Sequence, residues 1–190
     1  MLEQIRFSFR LKALSYLHVG NGRRISLAKM RGLPAESKNG KAEVACVQRD
    51  ARGWPVIEGS SIRGALRAFC RQKGFYEADL FGPDKIGQGE ADNGCLWLRA
   101  GFLSNAEALS ARSCDLPYWS AEPEGETDER PSFPYTFVMP GIRLDADTGT
   151  VDDDLFYHVE FVPAGAEFLF SGIYLGSEEN FVEQLGALFN

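Results

Sequence analysis

The sequence predicts an α+β fold, a split β-α-β-β-α-β unit that lacks its last strand. Three observations predict it. The N-terminal residues alternate apolar and polar, one helix-period segment follows near residue 60, and the stretch from Phe156 to the end reads strand, strand, helix.

Taken in order, Ile5, Phe7, Phe9 and Leu11 alternate with Arg6, Ser8, Arg10 and Lys12, the period of a strand with one face buried. The strand is expected to run to about Val19 and to stop at the breaker cluster Gly20-Asn21-Gly22. Residues 23–48 carry Arg23, Arg24, Lys29, Arg31, Lys38 and Lys41 without a sustained period and read as a basic loop. A helix follows, with Ser60 or Ser61 as its cap and Gly74 as its stop. Its apolar residues Ile62, Ala65, Leu66, Phe69 and Cys70 fall at i, i+3, i+4, i+7 and i+8. Arg63, Arg67 and Arg71 line up on a different face, which ordinarily means a solvated arginine face.

Cys95 to Leu103 reads as a second strand. Residues 104–131, with Pro117, Pro123, Pro131 and the acidic run from Glu122 to Glu129, read as an acidic insertion or flexible connection. Residues 132–155 read as an extended arm turning at Asp145-Ala146-Asp147-Thr148-Gly149. Phe156 to Val162 and Glu167 to Leu175 are strands parted by Pro163-Ala164-Gly165. Phe181, Val182, Leu185, Leu188 and Phe189 mark a last helix beginning near Ser177. At 190 residues the whole fits a single domain, 1–190.

Composition narrows the function. With 44% apolar residues the chain can bury a core, which argues against disorder throughout. No apolar run approaches the ~20 residues that span a bilayer, and no signal-peptide block opens the chain, so no membrane partner and a cytoplasmic location are expected. Cys46, Cys70, Cys95 and Cys114 lack zinc-knuckle spacing and read as reduced thiols; no metal or cofactor set is identified. The net charge of −7 hides an asymmetry. Residues 1–75 hold 15 Lys and Arg against 5 Asp and Glu, and residues 76–190 hold 5 against 22. Such a division separates a polyanion-facing part from one facing solvent or basic partners, or else both are solvated surface.

The segment Arg49-Asp50-Ala51-Arg52-Gly53-Trp54-Pro55-Val56-Ile57-Glu58-Gly59-Ser60-Ser61-Ile62-Arg63-Gly64-Ala65-Leu66-Arg67 puts a glycine and two serines directly before a helix rich in arginine. Unpaired N–H groups, the helix dipole and the hydroxyls suit a phosphate; a plain capped helix uses the same serines with no ligand.

This stretch resembles the RAMP superfamily, whose members form the backbone of type III CRISPR effectors. Leu17-His18-Val19-Gly20-Asn21-Gly22 resembles the family's glycine-rich turn after the first strand, and Arg49 to Arg67 its arginine–glycine–serine segment, with Glu58 in place of the usual proline. Asp79-Leu80-Phe81-Gly82, followed by Gly87, Gly89 and Gly94, is similar to its L-F-G segment. Gly141 to Gly149 and Glu160 to Phe168 resemble its thumb hairpin and the strand after it. The resemblance implies an RRM-like, ferredoxin-like RAMP domain with a long acidic insertion and a hairpin thumb. It implies guide-RNA contacts at Gly20, Arg23, Arg24, Arg49, Arg52, Gly59, Ser60, Ser61, Arg63 and Arg67. It also implies a thumb carrying Ile142, Arg143, Asp145 and Thr148, which pries the guide–target duplex apart. The partners implied are guide (crRNA) RNA, through it target RNA, and other CRISPR effector subunits.

Two departures shape the functional expectation. Family members that cut target RNA carry an aspartate five residues before the arginine equivalent to Arg49; here that position is Val44, with Glu43 beside it. The family also continues past the second helix into a final strand, so that strand is expected from a longer chain, a fusion or a partner. His18 falls where relatives often carry histidine at a strand end, and neither it nor His158 has an identifiable acid–base partner. The expectation is therefore a guide-RNA-binding, non-cleaving structural subunit with no catalytic residue assigned. The alternatives are a metal-dependent target-RNA endoribonuclease using Glu43, and a scaffold that touches only protein.

Overall fold

A computed structural model describes residues 3–26, 43–75, 77–82, 94–110, 135–144 and 151–189. In chain order the elements are β1 (Gln4–Lys12), β2 (Gly20–Ser26), β3 (Glu43–Val47), β4 (Val56–Ile57), α1 (Gly59–Lys73), α2 (Glu77–Phe81), β5 (Leu96–Leu98), β6 (Gly101–Leu103), α3 (Ala106–Ser110), β7 (Phe137–Leu144), β8 (Val151–Phe161), β9 (Glu167–Leu175) and α4 (Glu178–Phe189). This is a mixed α+β architecture with two sheets among the described residues. One has the order β1-β9-β6-β4, with β5 also paired to β9; the other has the order β2-β3-β8-β7. The chain divides into two compact units. One comprises Met1–Leu11, Ile57–Gly101 and Leu169–Asn190; the other comprises Lys12–Val56 and Phe102–Phe168.

In the first unit, β1 shows the alternation its sequence predicts: Ile5, Phe7, Phe9 and Leu11 are half-buried and the residues between them exposed. Phe9 stacks on Phe170 of β9 at 4.9 Å between ring centroids. β5 runs antiparallel to β9, pairing Leu96 with Tyr174, Trp97 with Ile173 and Leu98 with Gly172. The predicted strand from Cys95 to Leu103 is thus present but interrupted at Arg99-Ala100. Leu66 and Cys70 of α1 and Phe181 and Leu185 of α4 join one core with Ile5, Phe7, Leu96 and Tyr174. Both helices therefore cover the same face of these strands, and β9 alternates strictly, with Phe170, Gly172 and Tyr174 inward and Leu169, Ser171 and Leu175 exposed.

The helix α1 corrects two expectations. Glu58, extended at φ −61°, ψ 142°, occupies the N-cap position, and no side chain caps the helix; Ser60 and Ser61 lie exposed in its first turn. The arginine face is solvated only at Arg71, which is exposed. Arg63 and Arg67 are half-buried on the side of Ile62, Leu66 and Cys70, while Ala65 and Phe69 are exposed. Gly74 ends the helix as predicted, left-handed at φ 74°.

In the second unit, β2 pairs antiparallel with β3, β3 parallel with β8, and β8 antiparallel with β7. The first strand stops at Lys12, well short of Val19. Beyond it the chain pairs elsewhere: the Ala13 and Leu17 N–H groups donate to the Ala166 and Val162 carbonyls. Gly20-Asn21-Gly22 opens a strand where the sequence suggested a break. The glycines serve an irregularity in the β2–β3 register between Gly20 and Arg24, with Gly22 at φ 74°. Residues 23–26 and 43–47, inside the expected basic loop, are accordingly strand; 27–42 lie outside the described residues. Of the expected acidic insertion, Ala106–Ser110 is helical and 111–131 lie outside the described residues.

Gly59 gives the first prediction. A Cβ there would come within 2.2 Å of the Leu98 carbonyl oxygen, whereas one at Gly64 of the same helix would meet nothing within 4 Å. Gly59→Ala should lower stability by about 2 kcal/mol, because the helix start must move off the strand. Gly64→Ala should raise it by about 0.5–1 kcal/mol through helix propensity. Urea unfolding followed by circular dichroism separates the two.

Candidate nucleic-acid interface

In the second unit, one buried carboxylate organises the segments that carry the basic residues. Glu160 of β8 is fully buried, and its side chain takes three donors. The Val47 N–H donates at 2.9 Å, the Thr136 hydroxyl at 2.6 Å, and the Arg49 guanidinium closes an ion pair on the same oxygen as Thr136. Arg49 also donates to Thr136 at 2.7 Å and to the Gly53 carbonyl at 2.5 Å. A buried charge of this kind persists only when paired and hydrogen-bonded. The Cys46 thiol nearby is pushed above its ordinary value by burial and by the Glu160 charge, which suits an inert core thiol.

Residues 49–55 form a tight turn on this base. Asp50 accepts from the Arg52 and Trp54 N–H groups, each at 2.9 Å, and from the Arg52 Nε at 2.9 Å; Gly53 is left-handed at φ 79°. Burial pushes the Asp50 carboxyl upward, but the bonds from Trp54 and Arg52 and the charge of Arg52 outweigh it and hold the group below its usual range. The Arg52 guanidinium lies 4.2 Å over the Trp54 ring, and Trp54 meets Tyr135 edge-on.

The His18 Nδ1–H donates to the Glu160 carbonyl at 2.7 Å, and its ring meets Phe161 edge-on, a packing role. The same ring explains Gly20, where a Cβ would lie 2.7 Å from the His18 Nε2. Arg23 and Arg24 are exposed on β2, and Arg24 makes a 3.8 Å pair with Glu43. Side chains that exposed gain little from pairing.

The remaining residues predicted to meet RNA lie on α1 in the first unit. Gly59 is buried because the helix start presses on the Leu98–Arg99 backbone. Arg63 donates to the Phe81 carbonyl at 2.5 Å and Arg67 to the Gly82 carbonyl, so these two hold the C-terminal end of α2. Arg49, Arg63, Arg67 and Gly59 are thus positioning residues, while Arg23, Arg24, Arg52, Ser60 and Ser61 are presented outward. Each group has members in both compact units: Arg23, Arg24, Arg49 and Arg52 in the second, and Gly59, Ser60, Ser61, Arg63 and Arg67 in the first.

The arm expected at 132–155 is a β-hairpin. β7 and β8 pair from Phe137–Phe161 out to Leu144–Val151, with Ile142 opposite Phe156. Ile142 and Arg143 lie on β7; Asp145 and Thr148 lie outside the described residues. Val44, the position of the family's cutting aspartate, is fully buried with Cys46, Ile25 and Val138, while Glu43 is exposed.

The sequence matches the RAMP superfamily over residues 10–190. The chain belongs to the RAMP superfamily. Among solved structures, this RAMP chain is similar to a chain of the type III-B Cmr-beta complex bound to cognate target RNA, solved by cryo-electron microscopy. There the TM-score is 0.57 at 15% identity, covering 94% of this chain and 87% of that one. It is also similar to a chain of Cmr-beta in the apo state, with a TM-score of 0.60 at 14% identity, covering 97% and 89%. At such identities the likeness is one of fold. No match is found among curated proteins.

Glu160 is the organising residue of the candidate site whose role sequence reasoning missed. Its signal was present, since it shares the inward face of its segment with Val162, where an unpaired charge is not tolerated. Glu160→Ala should cost about 3–5 kcal/mol, because it leaves the Arg49 charge buried without a partner. Adding Arg49→Met to that variant should recover part of the loss, measured as the shift in urea midpoint.

Proposed function

We propose that this RAMP-superfamily chain binds guide RNA as a structural, non-cleaving subunit of a type III CRISPR effector. The observation that carries the reading is the superfamily match across residues 10–190. The fold likeness to Cmr-beta chains, one in a complex holding cognate target RNA, supports it. The strand order β1-β9-β5, with α1 and α4 on one face, suits an RRM-like split unit. The β7–β8 hairpin suits the thumb, with Ile142 and Arg143 on its first strand.

RNA backbone contacts then fall to the outward groups Arg23, Arg24, Arg52, Ser60 and Ser61. Arg49, Arg63, Arg67, Gly20 and Gly59 hold their supports in place. Phosphate contacts fix register without reading bases, and the guide's base pairing supplies specificity. Reversing Arg23 and Arg24 to Glu should weaken RNA binding alike for all sequences. Every phosphate released should flatten the log–log salt slope by about 0.7. An unchanged slope in a folded variant moves the interface elsewhere. RNA left unprotected from nuclease in the assembled complex overturns the reading in favour of a protein-only scaffold.

The absence of cutting is supported by where the relevant side chains point. Metal-assisted hydrolysis needs a carboxylate that reaches solvent and substrate. Val44 is in the core, and Glu43 pairs loosely with Arg24 on β2. Val44→Asp should therefore destabilise the fold by several kcal/mol, the cost of a buried carboxylate, and should not confer cleavage. Target cleavage with magnesium or manganese at this subunit's positions should be absent in wild type. Specific cuts that disappear in Glu43→Ala would make it an endoribonuclease.

A further inference from the structure

We infer that the outer face of the β1–β9–β5 strands is a second single-stranded RNA site, on which Trp97 stacks a base while Arg6 and Arg99 hold the adjoining phosphates. The inference rests on the RNA-binding reading above but uses none of the residues assigned there to the guide.

The helices α1 and α4 cover one face of these strands, and the other face is left with an unusual set of side chains. Trp97 is 48% exposed, although tryptophan normally contributes its large apolar area to a core. It pairs with Ile173 on β9, whose outer face also carries exposed Ser171. Arg6 projects from β1 on the exposed side of its alternation, and Arg99 follows β5, its N–H tied to the Ser171 carbonyl at 2.9 Å. A shallow pocket of about 170 Å³ is lined by Arg6, Phe7, Arg99, Ser171, Gly172 and Ile173. Two guanidiniums thus border an apolar floor, with an indole one pairing away from it.

The charges of Arg6 and Arg99 are not consumed internally. Arg49, Arg52, Arg63 and Arg67 each have a carboxylate or carbonyl partner, whereas no ion pair or side-chain hydrogen bond of Arg6 or Arg99 occurs among the described residues. Gly172 faces the core, where Phe7 and Leu98 fill the place of a Cβ, so only its backbone lines the outer floor. A protein partner of purely apolar surface would leave both guanidiniums desolvated and unpaired, a costly outcome. A single strand offers what this face lacks, a π-face for the indole and phosphates for the arginines. Such contacts are indifferent to sequence, as a chain carrying variable guides or targets requires.

The test uses the full chain and a fluorescent oligouridylate of about ten nucleotides containing 4-thiouridine. Trp97→Ala should weaken binding roughly five- to a hundredfold and Trp97→Phe far less, since base–aromatic stacking is worth about that range. Arg6→Ala with Arg99→Ala should flatten the salt slope by about 1.4. Photocrosslinks should map to 96–99 and 171–173. Arg6 and Arg99 are exposed, so the arginine variant should melt like wild type; Trp97 is about half-buried, so its variants are compared well below their own melting temperatures, which separates binding loss from misfolding.

The inference is overturned if these variants bind like wild type while Arg23→Glu with Arg24→Glu does not, which leaves the guide-binding reading standing. It is equally overturned if wild type does not bind the probe; nuclease protection in the complex still judges guide binding. Loss of subunit assembly in the variants, with RNA affinity intact, overturns it in favour of a protein partner.

Discussion

The carboxylate of Glu160 is the constraint on which the second compact unit of this chain depends. It is fully buried on β8, and three separate stretches of chain donate to it: the end of β3 through the Val47 N–H, the 49–55 turn through Arg49, and the entry to β7 through Thr136; the His18 ring bonds the backbone carbonyl of the same residue. Burying a carboxylate costs several kcal/mol unless every lone pair is met, so the pair adds little net stability over an apolar core. What it adds is geometry. A hydrophobic contact would let these segments slide, whereas a carboxylate with two oxygens and three donors accepts few arrangements.

That geometry explains why the basic residues differ so much in role. Arg49 and Arg52 are three residues apart, yet one guanidinium is nearly buried on Glu160 and the other lies half-exposed over Trp54. The Asp50 carboxylate, accepting bonds from the Trp54 and Arg52 N–H groups, forces the chain to reverse between them. The same division recurs in the first unit. Arg63 and Arg67 spend their charge on carbonyls at the end of α2, while Ser60 and Ser61, a few residues earlier, face outward. Motif arginines in both units therefore act as supports, one step behind the surface that would meet a ligand.

The sequence made the periodic elements legible and the paired ones obscure. β1, α1, the interrupted strand at 96–103, β9 and α4 were readable because each buries one face, and burial imposes a period on its own residues. β2 and β3 were not readable. β2 is exposed over most of its length, and its glycines mimic a loop. What makes it a strand is its partner β3, which lies beyond a long intervening segment and is invisible to any local window. The serine cap failed for a related reason. Gly59 can approach the Leu98 carbonyl only as part of the helix itself, so the helix begins before the serines rather than at them.

The charge distribution was legible as a total and misleading as a map. Residues 1–75 carry most of the positive charge, which invites a single basic surface there. In the folded chain, Arg49, Arg63 and Arg67 are turned inward, Arg52 is shared with Asp50, and Arg24 is partly offset by Glu43. Among the described residues of this stretch, the positive field available to a polyanion comes from the exposed Arg6, Arg10, Lys12, Arg23, Arg24, Arg52, Arg71 and Lys73, and not from Arg49, Arg63 and Arg67. Exposed charges act over about 8–10 Å at physiological salt, so arginines spaced along a strand face reach successive phosphates where a compact cluster would not. The net charge of −7 bears on solubility, whereas the field a polyanion would meet depends on local placement.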